Sequence, residues 1–178
     1  MSTLFSFWLA WLAAISHQPI HILYAQSSLT IQGTSTLHDW ESTVEEYSVS
    51  GNITEAGPSQ IEVVIAVGSI KSGRSSVMDS KTYDALRLED HPQIRFQTDQ
   101  LPMAGNQMRG SGQLTIAGVT RQVTVTGTLT QQSDGTWLAK GKVPLRMTDF
   151  GVDPPTAMLG TLKTGDDITI NYHLVIKQ

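Results

Sequence analysis

The sequence predicts an all-β antiparallel domain. Three stretches carry that expectation. In Gly112–Thr130, Leu114 and Ile116 alternate with polar or small residues, and Val123, Val125 and Leu129 alternate with threonines around an Ala117-Gly118 turn. This is a β-hairpin with one apolar and one hydroxyl face. In Gln60–Val67, residues Ile61, Val63, Ile65 and Val67 keep a strict period of two. In Asp167–Lys177, residues Ile168, Ile170, Tyr172, Leu174 and Ile176 do the same.

The elements follow in order. Strands are expected at Ser28–Gln32 and Ser42–Ile53. A turn of Glu55-Ala56-Gly57-Pro58 leads to Gln60–Val67. Ser72–Glu89 breaks the alternation: Met78, Tyr83, Leu86 and Leu88 are spaced as a helical stripe, with Ser76 or Asp79 available as a cap. One or two short helices on a long β–β connection result, and such connections often serve as lids or binding loops. His91-Pro92 ends the helical stretch. Strands resume at Gln93–Gln100, Asn106–Ala117, Thr120–Gln132 and, after a Ser133-Asp134-Gly135 turn, Thr136–Met147. Asp149–Gly165 reads as a loop, and Asp167–Lys177 closes the chain. About eight strands, each with one apolar face, suit a closed ligand-holding barrel; a two-sheet sandwich has the same strand pattern.

The 178 residues are enough for one domain with a sizeable core. A net charge of −4 with scattered Lys and Arg advertises no nucleic-acid partner. The first 25 residues hold no Asp, Glu, Lys or Arg, and Leu4–Ile15 is an apolar run. That run is too short for a comfortable membrane span of roughly 20 residues. It fits a secretory leader, so the expected organisation is a signal peptide over 1–25, cut after Ala25, and a domain over 26–178 without stable membrane insertion. A buried hydrophobic helix and an uncleaved anchor are the competing readings of the run. The absence of cysteine excludes disulfides and suits a bacterial periplasm or cell exterior. Asn52-Ile53-Thr54 is a glycosylation triplet without meaning in a bacterium.

Several segments together resemble the YceI-like family of exported bacterial proteins. They are Asp84–Phe96, Leu114–Arg121 and Asp149-Phe150-Gly151-Val152, with Gly33–Trp40 standing where the family has its first-strand serine and histidine. The resemblance spans roughly Ile61–Lys177. It implies an antiparallel lipocalin-like barrel with a helical excursion and an apolar lipid tail held inside; it does not imply an enzyme activity, and a hydrolase or isomerase acting on a bound lipid is a third, weaker reading. Isoprenoid, quinone and fatty-acyl tails are all compatible, as are monomer and homodimer.

The residues expected to meet such a tail are His38 and Trp40, with Phe96, Leu114, Ile116, Val125, Trp137, Ala139, Val143 and Tyr172. Inward small residues, Gly127, Ala139 and Gly141, suggest a lumen that side chains alone do not fill. No catalytic residue, metal site or cofactor is expected. His38, His91 and His173 lack short metal-ligand spacing. His38 and Asp39 point opposite ways on a strand. No Gly-x-Ser-x-Gly elbow or phosphate-binding glycine motif is present. Asp149 and Asp153 read as solvated loop carboxylates. Ser72-Gly73-Arg74-Ser75-Ser76 reads first as a polar loop; its backbone N–H groups and Arg74 would also suit an anionic head group. The expectation is an exported lipid carrier. The alternative is a structural or stress-response module with a self-filled core that acts through its surface.

Overall fold

A computed structural model describes residues 18–157 and 162–177. The apolar run Leu4–Ile15 lies outside them. The described strands are β1 Gln18–Pro19, β2 His21–Ile22, β3 Ser28–Ser35, β4 Trp40–Val44, β5 Tyr47–Thr54, β6 Gly57–Ala66, β7 Ile70–Lys71, β8 Gln93–Gln100, β9 Met103–Ala104, β10 Gln107–Ile116, β11 Val119–Gln131, β12 Trp137–Arg146, β13 Thr156–Ala157 and β14 Leu162–Lys177. The α-helix described is α1, Ser76–Ala85.

The long strands pair antiparallel in the order β5-β6-β8-β10-β11-β12-β14-β3-β4. At Glu45-Glu46 the chain bends from β4 into β5, and at Val67–Ser69 it bends from β6 into β7. β7 then pairs with β4 while β6 pairs with β5. The ladder thus returns on itself, and the sheet curls into eight staves: β3, β4–β5, β6–β7, β8, β10, β11, β12 and β14. Curling the sheet back on itself removes the exposed edges that promote aggregation. Ser69 fixes both bends. Its hydroxyl accepts from the Glu46 amide at 3.0 Å and lies 2.8 Å from the Ala66 carbonyl. The strand expected over Ser42–Ile53 is therefore broken in two at its corner.

The expected faces hold. Val125, Leu129, Val143 and Leu145 are buried, and Val123, Trp137, Ile170, Tyr172 and Leu174 pack against the core. The alternate threonines lie on the outer face, where Thr126 and Thr128 share a shallow trough with Lys140 and Lys142. The hairpin turns through Ala117 and Gly118, both at positive φ (48° and 82°), the form that matches strand twist.

α1 begins at Ser76 and is capped by Ser75 rather than by Ser76 or Asp79: Ser75 Oγ accepts from the Met78 amide at 3.3 Å. Asp79 instead accepts from Ser72, from its amide at 2.8 Å and its hydroxyl at 2.7 Å. The helix stops before His91-Pro92 because Arg87 turns left-handed (φ 54°) and Leu88 N–H closes back on the Tyr83 carbonyl at 3.0 Å. The loop expected over Asp149–Gly165 is shorter at both ends. A 3-10 turn occupies Met147–Phe150, and β14 already begins at Leu162.

The interior divides into two apolar clusters. One surrounds Val67, Ile70, Ile116 and Phe150 at the α1 end. The other gathers Ile20, Ile53, Ile61, Leu129, Ala139 and Ile176 at the opposite end. Ile20 arrives there because β1 pairs with β5 and β2 with β14. Leu23 N–H adds a bond to the Val175 carbonyl at 2.8 Å. The segment Gln18–Ala25, expected to leave with the leader, is thus built into the barrel, and the folded unit includes Gln18.

Inward glycines do not leave the room the sequence suggested. A Cβ on Gly127 or Gly141 would overlap the Tyr172 hydroxyl, one on Gly112 would overlap the Phe96 ring, and one on Gly33 would overlap the Trp40 indole. Each missing side chain is replaced by an aromatic ring lying across it.

Candidate ligand-binding site

α1 lies across one end of the barrel above a cavity of about 350 Å³. Its walls are β-branched and alternate along their strands: Ile31 from β3, Ile70 from β7, Ile94 from β8, Ile116 from β10, Ile168 and Ile170 from β14. Met147, Phe150 and Val152 close one side, and Val77, Met78, Ala85 and Leu86 from the helical excursion form the roof. Ligand pockets of ~300–1,000 Å³ with apolar walls and a few polar groups are the usual form of a small-molecule site.

The roof is held by polar ties. The Tyr83 hydroxyl lies 2.9 Å from the Gly68 carbonyl and 3.1 Å from that of Ile70, and it accepts from Lys71 Nζ at 2.7 Å. The bond to Tyr83 raises the Lys71 ammonium above its ordinary pKa. Ser72 holds the Asp79 carboxyl below the usual carboxylate range by hydrogen bonds from its side chain and backbone. Lys81 Nζ donates to the Thr156 carbonyl at 3.2 Å, joining the helix to β13.

The mouth is polar and cationic around an apolar throat. Arg74 Nη1 lies 2.8 Å from His38 Nε2, and His38 Nδ1 lies 3.0 Å from the Asp39 carbonyl. An arginine only donates and a carbonyl only accepts, so this pair of contacts calls for the neutral imidazole with its proton on Nδ1. Arg74, Lys81, Arg146 and Lys163 line the cavity with Glu41. Arg146 is paired with Asp166 at 3.0 Å, whereas Arg74 meets the neutral His38. Thr148, followed by Arg146, holds the Asp166 carboxyl below its usual range. Leu37, Val77 and Met78, which are 69 %, 65 % and 42 % exposed, are three of the four exposed large apolar residues among those described, and all three line this cavity.

Of the residues expected to meet a tail, His38, Trp40 and Ile116 line the cavity. Phe96, Leu114, Val125, Val143 and Tyr172 sit deeper, in or against the cluster at the α1 end. Trp137 and Ala139 belong to the far cluster. Tyr172 donates to the Thr126 carbonyl at 3.1 Å, and burial pushes its phenol up to about 12. The excursion does reach the mouth, as its length suggested. Ile31, Ile70, Phe150 and Val152 were not singled out as candidates. Alternation on the last strand marked Ile168 and Ile170 as inward, but nothing local said which end of the barrel stays open. Asp149 and Asp153 are both exposed. Among the described residues no cluster of three or more His, Asp or Glu is placed to hold a metal.

The sequence profile of the YceI-like domain matches residues 21–176. The chain belongs to the YceI-like family. Solved structures agree on the fold. Burkholderia cenocepacia BcnA is 22% identical, with a TM-score of 0.74 over 87% of this chain and 99% of its own. A polyisoprenoid binding domain from Saccharophagus degradans, implicated in plant cell wall breakdown, is 14% identical, with a TM-score of 0.65 over 89% of this chain and 97% of its own. The Campylobacter jejuni YCEI protein is 14% identical, with a TM-score of 0.61 over 100% and 94%. No curated protein matches the chain. The expected lipocalin-like, antiparallel all-β architecture is thus the family's own, and in this YceI-like chain the helical excursion lies over the cavity.

Proposed function

We propose that this YceI-like chain is an exported carrier that binds the apolar tail of an isoprenoid-type lipid in the cavity beneath α1. The carrying observation is that cavity itself, a chamber with six isoleucines along its walls, a helical roof and a cationic rim. An amphiphile fits this order of surfaces, tail inward and head at Arg74, Lys81 and Lys163. Quinone and fatty-acyl tails share the apolar chemistry. Transfer of each methylene from water contributes roughly 0.8 kcal/mol, so a tail of about ten carbons offsets a typical association cost. The polyisoprenoid binding domain among the structural neighbours supports the tail chemistry. The leader-like run Leu4–Ile15 supports export to a periplasm or the cell exterior. Binding rather than catalysis is the reading that family and site favour. The self-filled alternative draws support from the ring-covered glycines, which belong to the barrel below the cavity.

The test is calorimetric titration of delipidated protein with geranyl and farnesyl phosphate. Saturable binding at one site per chain is expected, weakened by Arg74→Ala. Absence of binding by either compound would refute the carrier and leave the structural module.

A further inference from the structure

The cavity stops at a defined layer of the barrel. On four staves its lining includes the upper inward residue and omits the one next below: Ile94 but not Phe96, Ile170 but not Tyr172, Ile116 but not Leu114, Ile31 but not Leu29. The omitted residues are neighbours in register, Phe96 opposite Leu114 and Tyr172 opposite Leu29. Leu29 and Leu114 are buried. Phe96 and Tyr172, with Val63 and Met103, pack against both apolar clusters and so mark the seam between them.

Both rings are held in place. The Phe96 ring occupies the space a Gly112 side chain would need. The Tyr172 ring lies across Gly141 on the neighbouring strand, and its hydroxyl bonds the Thr126 carbonyl one strand further on. Rings seated on glycines have little room to turn aside for an incoming chain.

We propose that Phe96 and Tyr172 form a septum that ends the cavity and restricts this carrier to short single tails. The inference rests on the carrier reading above. A cavity of about 350 Å³, at about 30 Å³ for each water-sized group, holds a chain of roughly a dozen carbons. The ligand class is then a single-chain amphiphile of two or three isoprene units, or a medium acyl chain, and a long polyisoprenoid does not enter whole.

The experiment is a series of n-alkyl phosphates from octyl to hexadecyl, titrated by calorimetry below their micelle concentrations. Affinity should rise roughly fourfold per added methylene up to about dodecyl and then level off. A rise that continues unbroken to hexadecyl overturns the septum and leaves the carrier standing. Failure of every chain length to bind overturns the carrier reading itself. Phe96→Ala should move the break to tetradecyl or hexadecyl phosphate. Phe96→Leu, a milder truncation, should move it in the same direction and serves where the alanine variant does not fold. A wild-type plateau that neither variant shifts would overturn the assignment to Phe96.

Discussion

The Tyr172 ring is seated on Gly141: a methyl group added there would begin 2.6 Å from Tyr172 Cζ. Gly141→Ala must therefore displace the ring and also the Thr126 carbonyl oxygen, which lies closer still, and the strained packing should cost about 1–3 kcal/mol. Chemical denaturation measures it. An unchanged midpoint would show that the ring is free to move, contrary to the septum.

Tyr172 also makes alkaline stability specific. Burial raises its phenol from the ordinary value of about 10 to about 12. The folded state thus prefers the neutral phenol. That stabilisation is complete below about pH 10 and is lost as pH rises through about 12. Tyr172→Phe should flatten this part of the stability–pH curve while costing roughly 0.5–1.5 kcal/mol at neutral pH for the lost bond to Thr126. A curve as steep as the parent's would assign the alkaline loss to other groups.

The Ser72–Asp79 tie sets an acid limit on the roof. Asp79 is depressed by its bonds from Ser72, so its contribution is present above the ordinary carboxylate value of about 3.9 and fades as pH falls through the lower, folded value. In an NMR titration the Ser72 amide, which donates to this carboxylate, should report a midpoint below about 3.9. Removing the hydroxyl donor with Ser72→Ala should raise that midpoint. Equal midpoints in the two proteins would mean the tie does not persist in solution.

The N-terminal strap makes a prediction about processing. Ile20 is 8% exposed and closes the end of the barrel opposite α1. A leader cut before Gln18 keeps this contact, whereas the cut expected after Ala25 discards it. Intact-mass measurement of the exported protein should find Gln18 retained. Ile20→Ala should cost about 2 kcal/mol or more. A mature chain starting at Gln26 with undiminished stability would contradict the strap's role.

The barrel was legible because its signal is local and periodic. Val123, Val125 and Leu129 had to share a face whatever lay opposite them, and a single register slip would have inverted the set. The bends at Glu45-Glu46 and Val67–Ser69 were not legible, since the hydroxyl that fixes them, Ser69, acts 23 residues away on Glu46. The site was legible in part. Period-two alternation separates inside from outside but carries no information along the barrel axis, so Trp137 and Ala139 at one end read the same as Ile168 and Ile170 at the other. Gly127 and Gly141 looked like empty space because the ring that fills them, Tyr172, is about thirty or more residues away in sequence. The segment Gln18–Ala25 read as leader because it lacks charge. Its pairing with β5 and β14 depends on partners that sequence alone does not place beside it.

Two alanines, one in each half of the barrel, distinguish the cavity under α1 from the far cluster as the place where lipid is held. Ala85 lines that cavity, and Ala139 is buried in the far cluster. The measurement is mass spectrometry of organic extracts from purified wild-type, Ala85→Trp and Ala139→Trp proteins, each confirmed as folded by thermal unfolding. The wild type and Ala139→Trp should yield a stoichiometric lipid, the latter from a protein less stable by about 1–3 kcal/mol, and Ala85→Trp should yield none. A wild type that is stable and empty, or lipid that survives Ala85→Trp and vanishes with Ala139→Trp, would contradict the account.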